Sequence, residues 1–173
     1  PNTVPEACTN IEATAAEYGA LSAHVEFDLP MFALSGDELN PESDVTVTVS
    51  SEGGSVKVTG KPGEHLQADV PTIQGVNTIT LLTENENGVG AESSISLYTG
   101  VDIPLPATLT SLNISADNRT MTFSWETSTV GVNGGFVDPA FCTYTILIYY
   151  PEVNYWFTQA GPGYDGTEYS YTV

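Results

Sequence analysis

The stretch Met121–Tyr150, MTFSWETSTVGVNGGFVDPAFCTYTILIYY, decides the fold. A strand carrying Trp125, a tryptophan expected to be buried, runs into a loop broken by Gly131, Gly134, Gly135 and Pro139. A second strand then enters through Tyr144, with Tyr144, Ile146, Ile148 and Tyr150 on one face and Leu147 and Tyr149 on the other. Strand, long irregular loop, strand is the centre of a β-sandwich module. The first half of the chain repeats this layout more weakly, with Phe27 in the place of Trp125.

Working outward, the upstream segments alternate with a period of two. In Ala20–Leu29, Leu21, Ala23, Val25, Phe27 and Leu29 share one face, and Ser22, His24, Glu26 and Asp28 share the other. Val45, Val47 and Val49 alternate with Thr46, Thr48 and Ser50, and the turn residues Glu52–Gly54 lead into Val56–Thr59. A GKPG turn (Gly60–Gly63) precedes a strand with Leu66, Ala68 and Val70 inward and His65, Gln67 and Asp69 outward. Asn10–Thr14, Asn77–Leu82 and Ser94–Tyr98 complete seven expected strands, with Glu84–Gly90 as a turn. Seven is the number an immunoglobulin-like sandwich needs.

GVDIPLP (Gly100–Pro106) divides the chain into a first module, 1–103, and a second, 104–173. Its two prolines favour a stiff, extended connection over a flexible tether. The second module reads as strands Thr108–Ile114, Thr120–Glu126, Thr143–Tyr150, Val153–Gln159 and Thr167–Val173, with GPGYDG (Gly161–Gly166) as a turn. Against the first module, its last two strands are missing, which makes it C-terminally incomplete. Such a module exposes core and an unpaired edge, and so invites self-association. The halves are offset by roughly 100 residues, one module length: Phe27 and Val45 are 18 positions apart, Trp125 and Tyr144 19.

Composition bounds the function. A net charge of −19, with Lys57, Lys61 and Arg119 as the only Lys or Arg, argues against nucleic acid, which is held by cationic side chains. The same field opposes docking on an anionic membrane, and no apolar run approaches the roughly 20 residues of a membrane helix. The chain begins at Pro1 without a signal-like segment and reads as a piece of a longer precursor. Cys8 and Cys142 fall in different modules and are expected to be buried or reduced thiols rather than a disulfide.

The second half resembles a fibronectin type III domain, through FSW (Phe123–Trp125) followed by a loop and Tyr-x-Ile (Tyr144–Ile146). Its loop GVNGGFVDP (Gly131–Pro139) is similar to a variant in secreted, multidomain surface proteins of Bacteroidetes-type bacteria. The first half resembles the preceding module there, in GALSAHVEFDLP (Gly19–Pro30), Pro62–Gly63, GVNTITLLTENENGVG (Gly75–Gly90) and GVDIP (Gly100–Pro104). It departs from that pattern with Phe27 for a tryptophan and Asn77 near the place of a tyrosine. The resemblance implies tandem immunoglobulin-like sandwiches, a secreted or cell-surface setting, and a spacer, interaction or adhesion role in a larger bacterial protein. A further alternative, ranked behind these, is an accessory segment of a secreted hydrolase whose catalytic domain lies outside this chain.

Site candidates are few. His24 and His65 stand on polar strand faces with no ligand spacing around them, so neither is expected to bind metal. The acidic stretches Ser35–Asp44 and Glu84–Gly88 offer oxygen ligands of the kind calcium takes, with Asp102 alone at the junction. Neither matches a calcium-loop motif, and turn formation explains both stretches. Acid–base work by paired carboxylates needs a cleft and divergent pKa values, which a bare sandwich does not supply, so no catalytic residue is expected. Nucleophile-elbow and phosphate-loop motifs are absent, and no cofactor is implied.

The sequons at Asn113 and Asn118 carry no weight in a bacterial protein. The aromatics are more informative: residues 1–103 hold only Tyr18, Phe27, Phe32 and Tyr98, and all the others follow. Phe27, Trp125 and Tyr144 are expected in the core. Tyr149, Tyr155 and Trp156 are the candidate binding surface for a glycan or a protein partner, because rings lying flat on a sheet stack on sugars or anchor proteins. The plainer alternative is that these rings cover a sheet edge.

Overall fold

The computed structural model describes residues 3–173, which form an all-β chain. They divide into two compact units, 3–101 with Asn133–Phe136, and Asp102–Val132 with Val137–Val173.

In the first unit, β1 (Thr9–Ala15), β2 (Ser22–Asp28) and β5 (His65–Pro71) make one antiparallel sheet in the order β1-β2-β5. The other sheet is β4-β3-β6-β7, from β3 (Val45–Ser51), β4 (Gly54–Gly60), β6 (Gly75–Asn85) and β7 (Gly88–Thr99). The inward faces read from the alternation meet in one core of Val25, Phe27, Val45, Val47, Val49, Val70, Ile79 and Leu81, all at most 1% exposed. This is a β-sandwich-like packing.

Several expected boundaries move. Leu21 is half exposed because β2 begins only at Ser22. The seven-residue turn expected at Glu84–Gly90 tightens to Glu86–Asn87, with β6 and β7 extending on either side. Asn85 is responsible, since its Oδ1 accepts the Asn87 N–H at 2.9 Å and closes the turn within three residues. The segment before β1 is pinned to the sheet at Pro5 and Glu6: Ala91 N–H donates to Pro5 O, and Thr83 Oγ1 lies within hydrogen-bonding distance of Pro5 O and Glu6 O. Asn77 is fully buried, and its amide bridges the Ile73 N–H, the Ile73 and Gly75 carbonyls and Thr99 Oγ1.

In the second unit, β8 (Thr108–Ile114), β9 (Thr120–Glu126) and β12 (Glu168–Thr172) form a sheet ordered β12-β9-β8. β10 (Tyr144–Tyr150) and β11 (Tyr155–Tyr164) form a two-stranded sheet. The pairings therefore repeat those of the first unit, β8-β9-β12 matching β1-β2-β5 and β10-β11 matching β3-β4. Among the described residues nothing pairs with the other edge of β10, whereas β3 is held on both edges, by β4 and β6.

The turn expected at Gly161–Gly166 is instead mostly strand, since β11 runs through Gly161-Pro162-Gly163 to Tyr164. The ladder slips there: Ile146 faces Ala160, but Tyr144 faces Tyr164, so β11 carries extra residues in a bulge. Proline lacks a ladder donor and is tolerated on such an edge strand, and Gly161 (φ +84°) and Gly163 (φ +97°) supply the conformations the bulge requires.

Candidate functional site

The β10–β11 hairpin presents the densest set of aromatic side chains. Directly paired residues of an antiparallel ladder share a face, so the register Tyr149↔Trp156 puts these rings together, with centroids 5.2 Å apart. Both rings also border a groove shared with Leu109, Leu112 and Phe123 of β8 and β9. The opposite face of β10 carries Tyr144, whose ring meets Trp125 at 5.3 Å, and Tyr150, whose hydroxyl bonds that of Tyr171. Tyr149 and Trp156 remain 40% and 57% exposed, and Tyr149 Oη donates to Asn154 Oδ1 at 2.5 Å.

Tyr155 does not join them. It pairs with Tyr150 on the inward side and packs edge-on against Phe157, with centroids 4.9 Å apart. The core candidates lie where burial is deepest: Phe27 is fully buried, Trp125 is 7% exposed, and Tyr144 is half-buried with its hydroxyl on Thr127 Oγ1 at 2.5 Å.

A groove of about 430 Å³ opens beside this hairpin, with Leu109, Leu112, Phe123, Trp125, Ile146 and Trp156 in its wall. It runs between the inward face of β8–β9 and the unpaired edge of β10, and no charged residue lines it. Leu109, Leu112 and Ile114 of β8 are each more than half exposed, although they continue the inward face of the sheet. Trp125 Nε1–H is buried without an acceptor.

The first unit carries a polar cluster that sequence reasoning missed. The register pairs His24 with Asp69 and Asp28 with His65, so each histidine meets a carboxylate across the strands, at 2.8 and 2.7 Å. His65 Nε2 also approaches Glu26 at 3.5 Å, and Asn10 Nδ2 donates to Asp28 at 2.7 Å. The hydrogen bond to Asp28, then that to Glu26, raises the His65 pKa, and the bonds from Asn10 and His65 lower that of Asp28. Both histidines do lie on the outward face, but the acids come from another strand and leave no sequence spacing to read.

The two acidic stretches meet at a small cavity of about 180 Å³, lined by Asp37, Glu38, Asp44, Asn85 and Glu86 among others. Their polar groups are engaged in turns and ion pairs: Asn40 Oδ1 accepts the Glu42 N–H at 3.0 Å, and Lys61 Nζ donates to Asp44 at 2.7 Å. Among the described residues no group of three His, Cys, Asp or Glu side chains could hold a metal. Asp102 Oδ1 accepts the Ile103 N–H at 2.7 Å.

Both cysteines are free thiols. Cys8 is buried, which pushes its pKa up to about 11, while Cys142 is half-buried. Within the glycine-rich loop, Phe136 belongs to the first unit, where its N–H donates to Gly100 O and its ring meets Tyr18 edge-on at 5.9 Å. Compared with known proteins, the chain matches no protein-family model and no curated protein.

Proposed function

We propose that this chain is a non-catalytic interaction module: two tandem fibronectin type III-like, immunoglobulin-like sandwiches, 1–103 and 104–173, from a larger secreted or cell-surface bacterial protein. The repeated strand order, β1-β2-β5 with β3-β4 and β8-β9-β12 with β10-β11, supports the tandem reading. The fibronectin identity and the surface setting rest on the resemblance carried by Phe123–Trp125, Tyr144–Ile146 and Gly131–Pro139.

The interaction role is carried by one observation, the half-exposed Tyr149–Trp156 ring pair on the outward face of β10–β11. Paired rings supply a rigid apolar platform at low entropic cost, suited to the face of a sugar or to a protein anchor. Tyr155 serves at most as a rim to that platform, since it belongs to the other face.

A glycan and protein array probed with the native chain and with Trp156→Ala tests this reading. The expected result is a defined set of ligands whose binding falls at least about tenfold in the variant, the loss of a ~1.4 kcal/mol contact. No ligand, or binding indifferent to the substitution, overturns the aromatic site and leaves a plain spacer. An enclosing reading frame that encodes a hydrolase would instead make the segment accessory to that enzyme.

A further inference from the structure

We infer that the first unit is built to carry tension along its length: the segment before β1, Thr3–Glu6, is a strap that takes the load in shear against β7.

The backbone of the strap is fixed on two sides. Toward the loop after β2, Glu6 N–H donates to Phe32 O at 3.0 Å and Leu34 N–H donates to Val4 O at 2.9 Å. Toward the sheet, Ala91 N–H donates to Pro5 O at 3.0 Å, and Asn85 Nδ2 donates to Thr3 O at 2.9 Å. The buried Thr83 Oγ1 lies 3.3 Å from Pro5 O and 3.1 Å from Glu6 O. Asn85 is the ladder partner of Gly88, and a Cβ on Gly88 would touch Val4 Cγ1 at 3.5 Å. Thr3 and Val4 therefore lie level with Gly88, and Pro5 lies level with Ala91, so strap and β7 run in the same direction.

That direction decides how a load acts. β7 continues from Ala91 to Thr99, and the chain leaves the unit at Val101, at the other end of the strand. Drawing Thr3 and Val101 apart pulls the strap one way along the strand axis and β7 the other. Bonds loaded in this way must yield together, whereas a strap peeled sideways gives them up one at a time.

The exit is fastened as well as the entry. Gln74 holds both backbone groups of Val101: its Nε2 donates to Val101 O at 2.6 Å, and its Oε1 accepts the Val101 N–H at 3.0 Å. Tyr98 Oη donates to the same carbonyl at 3.1 Å. A glycine makes each approach possible. A Cβ on Gly90 would stand 2.1 Å from Pro5 O, and one on Gly100 would stand 2.0 Å from Gln74 Oε1. Any other residue at either position pushes the fastening group away.

Load bearing goes beyond the interaction role and uses neither ring of the Tyr149–Trp156 pair. Binding that depends on Trp156 and resistance to tension therefore succeed or fail separately.

The test holds the whole chain by its two termini in optical tweezers. Two lengthening steps are expected. The first unit gives the longer one, about 350 Å of extended chain for residues 3–101 against about 260 Å for 102–173, and it yields last. Ala91→Pro removes the donor to Pro5 O, and Thr83→Val removes the hydroxyl while keeping the side-chain shape. Each is expected to speed the first unit's step at fixed tension at least about tenfold, while its unfolding rate in urea without tension rises less than about threefold. A rise under tension no larger than the rise in urea overturns the proposal. So does a first unit that yields before the second.

Discussion

His65 shows how a residue gains its behaviour from a neighbour in space. Its imidazole is held by Asp28 at 2.7 Å, with Glu26 behind at 3.5 Å, and both bonds raise its pKa above the ordinary histidine value. A group whose folded pKa is raised contributes stability that is fully present below its unfolded pKa of about 6.5 and is lost as pH rises through the folded value. Asp28, lowered by Asn10 and then His65, acts in the opposite sense: its contribution is present above about 3.8 and is lost as pH falls below that. The pair therefore supports the first unit most between these limits. His65→Gln is expected to lower the urea midpoint in mildly acidic buffer, with the difference from the native protein shrinking as pH rises past the His65 pKa. A difference that grows with pH would show that the pair is not formed. The alternation of β5 placed His65 outward, but its partners depend on the β2–β5 register, set by packing 37 residues away.

Strands follow the same division. Alternation marked β2, β3 and β5 because each buries one face and wets the other, so hydrophobicity repeats at the pleat period. It failed at β11, where Gly161-Pro162-Gly163 carries turn chemistry but lies in a bulged edge strand that pairing to β10 holds extended. At the edge of the first unit's core, Asn77 stands near where the resembled pattern has a tyrosine. Its amide instead closes the β5–β6 connection through Ile73, Gly75 and Thr99. Removing it orphans buried backbone groups, each costing ~1–3 kcal/mol. Asn77→Ala is expected to destabilise the first unit by about 2–4 kcal/mol in denaturant unfolding, with Asn77→Ser intermediate. A loss within about 0.5 kcal/mol, the range of an ordinary surface substitution, would mean that water replaces the amide.

At the scale of the molecule, the two units bury their apolar residues very unequally. Among the described residues, the buried hydrophobic side chains of the second unit are Trp125, Val137 and Ile146, while the first holds a continuous core between its two sheets. Burial of apolar surface is the main favourable term in folding, so the second unit is the weaker one. A deficit of even ~1 kcal/mol moves the melting midpoint of a domain this size by roughly 4–8 °C. Both tryptophans report on the second unit, so tryptophan fluorescence is expected to melt first, with a later transition visible only by circular dichroism. Coincident transitions would show that the units fold as one.

What the sequence by itself determined is local and periodic: the all-β class, the inward face of most strands, the turns built on Asn, Gly and Pro, and the aromatic richness of the second half. These properties are written in adjacent residues, because side-chain direction alternates along a strand whatever it packs against. The tertiary structure alone decided which strands pair. Pairing set His65 beside Asp28, put Tyr149 with Trp156 but not with Tyr155, and closed the core of the first unit. Register and sheet order depend on contacts between residues far apart in the chain, and a pattern of period two is the same whether or not a neighbouring strand arrives to cover it.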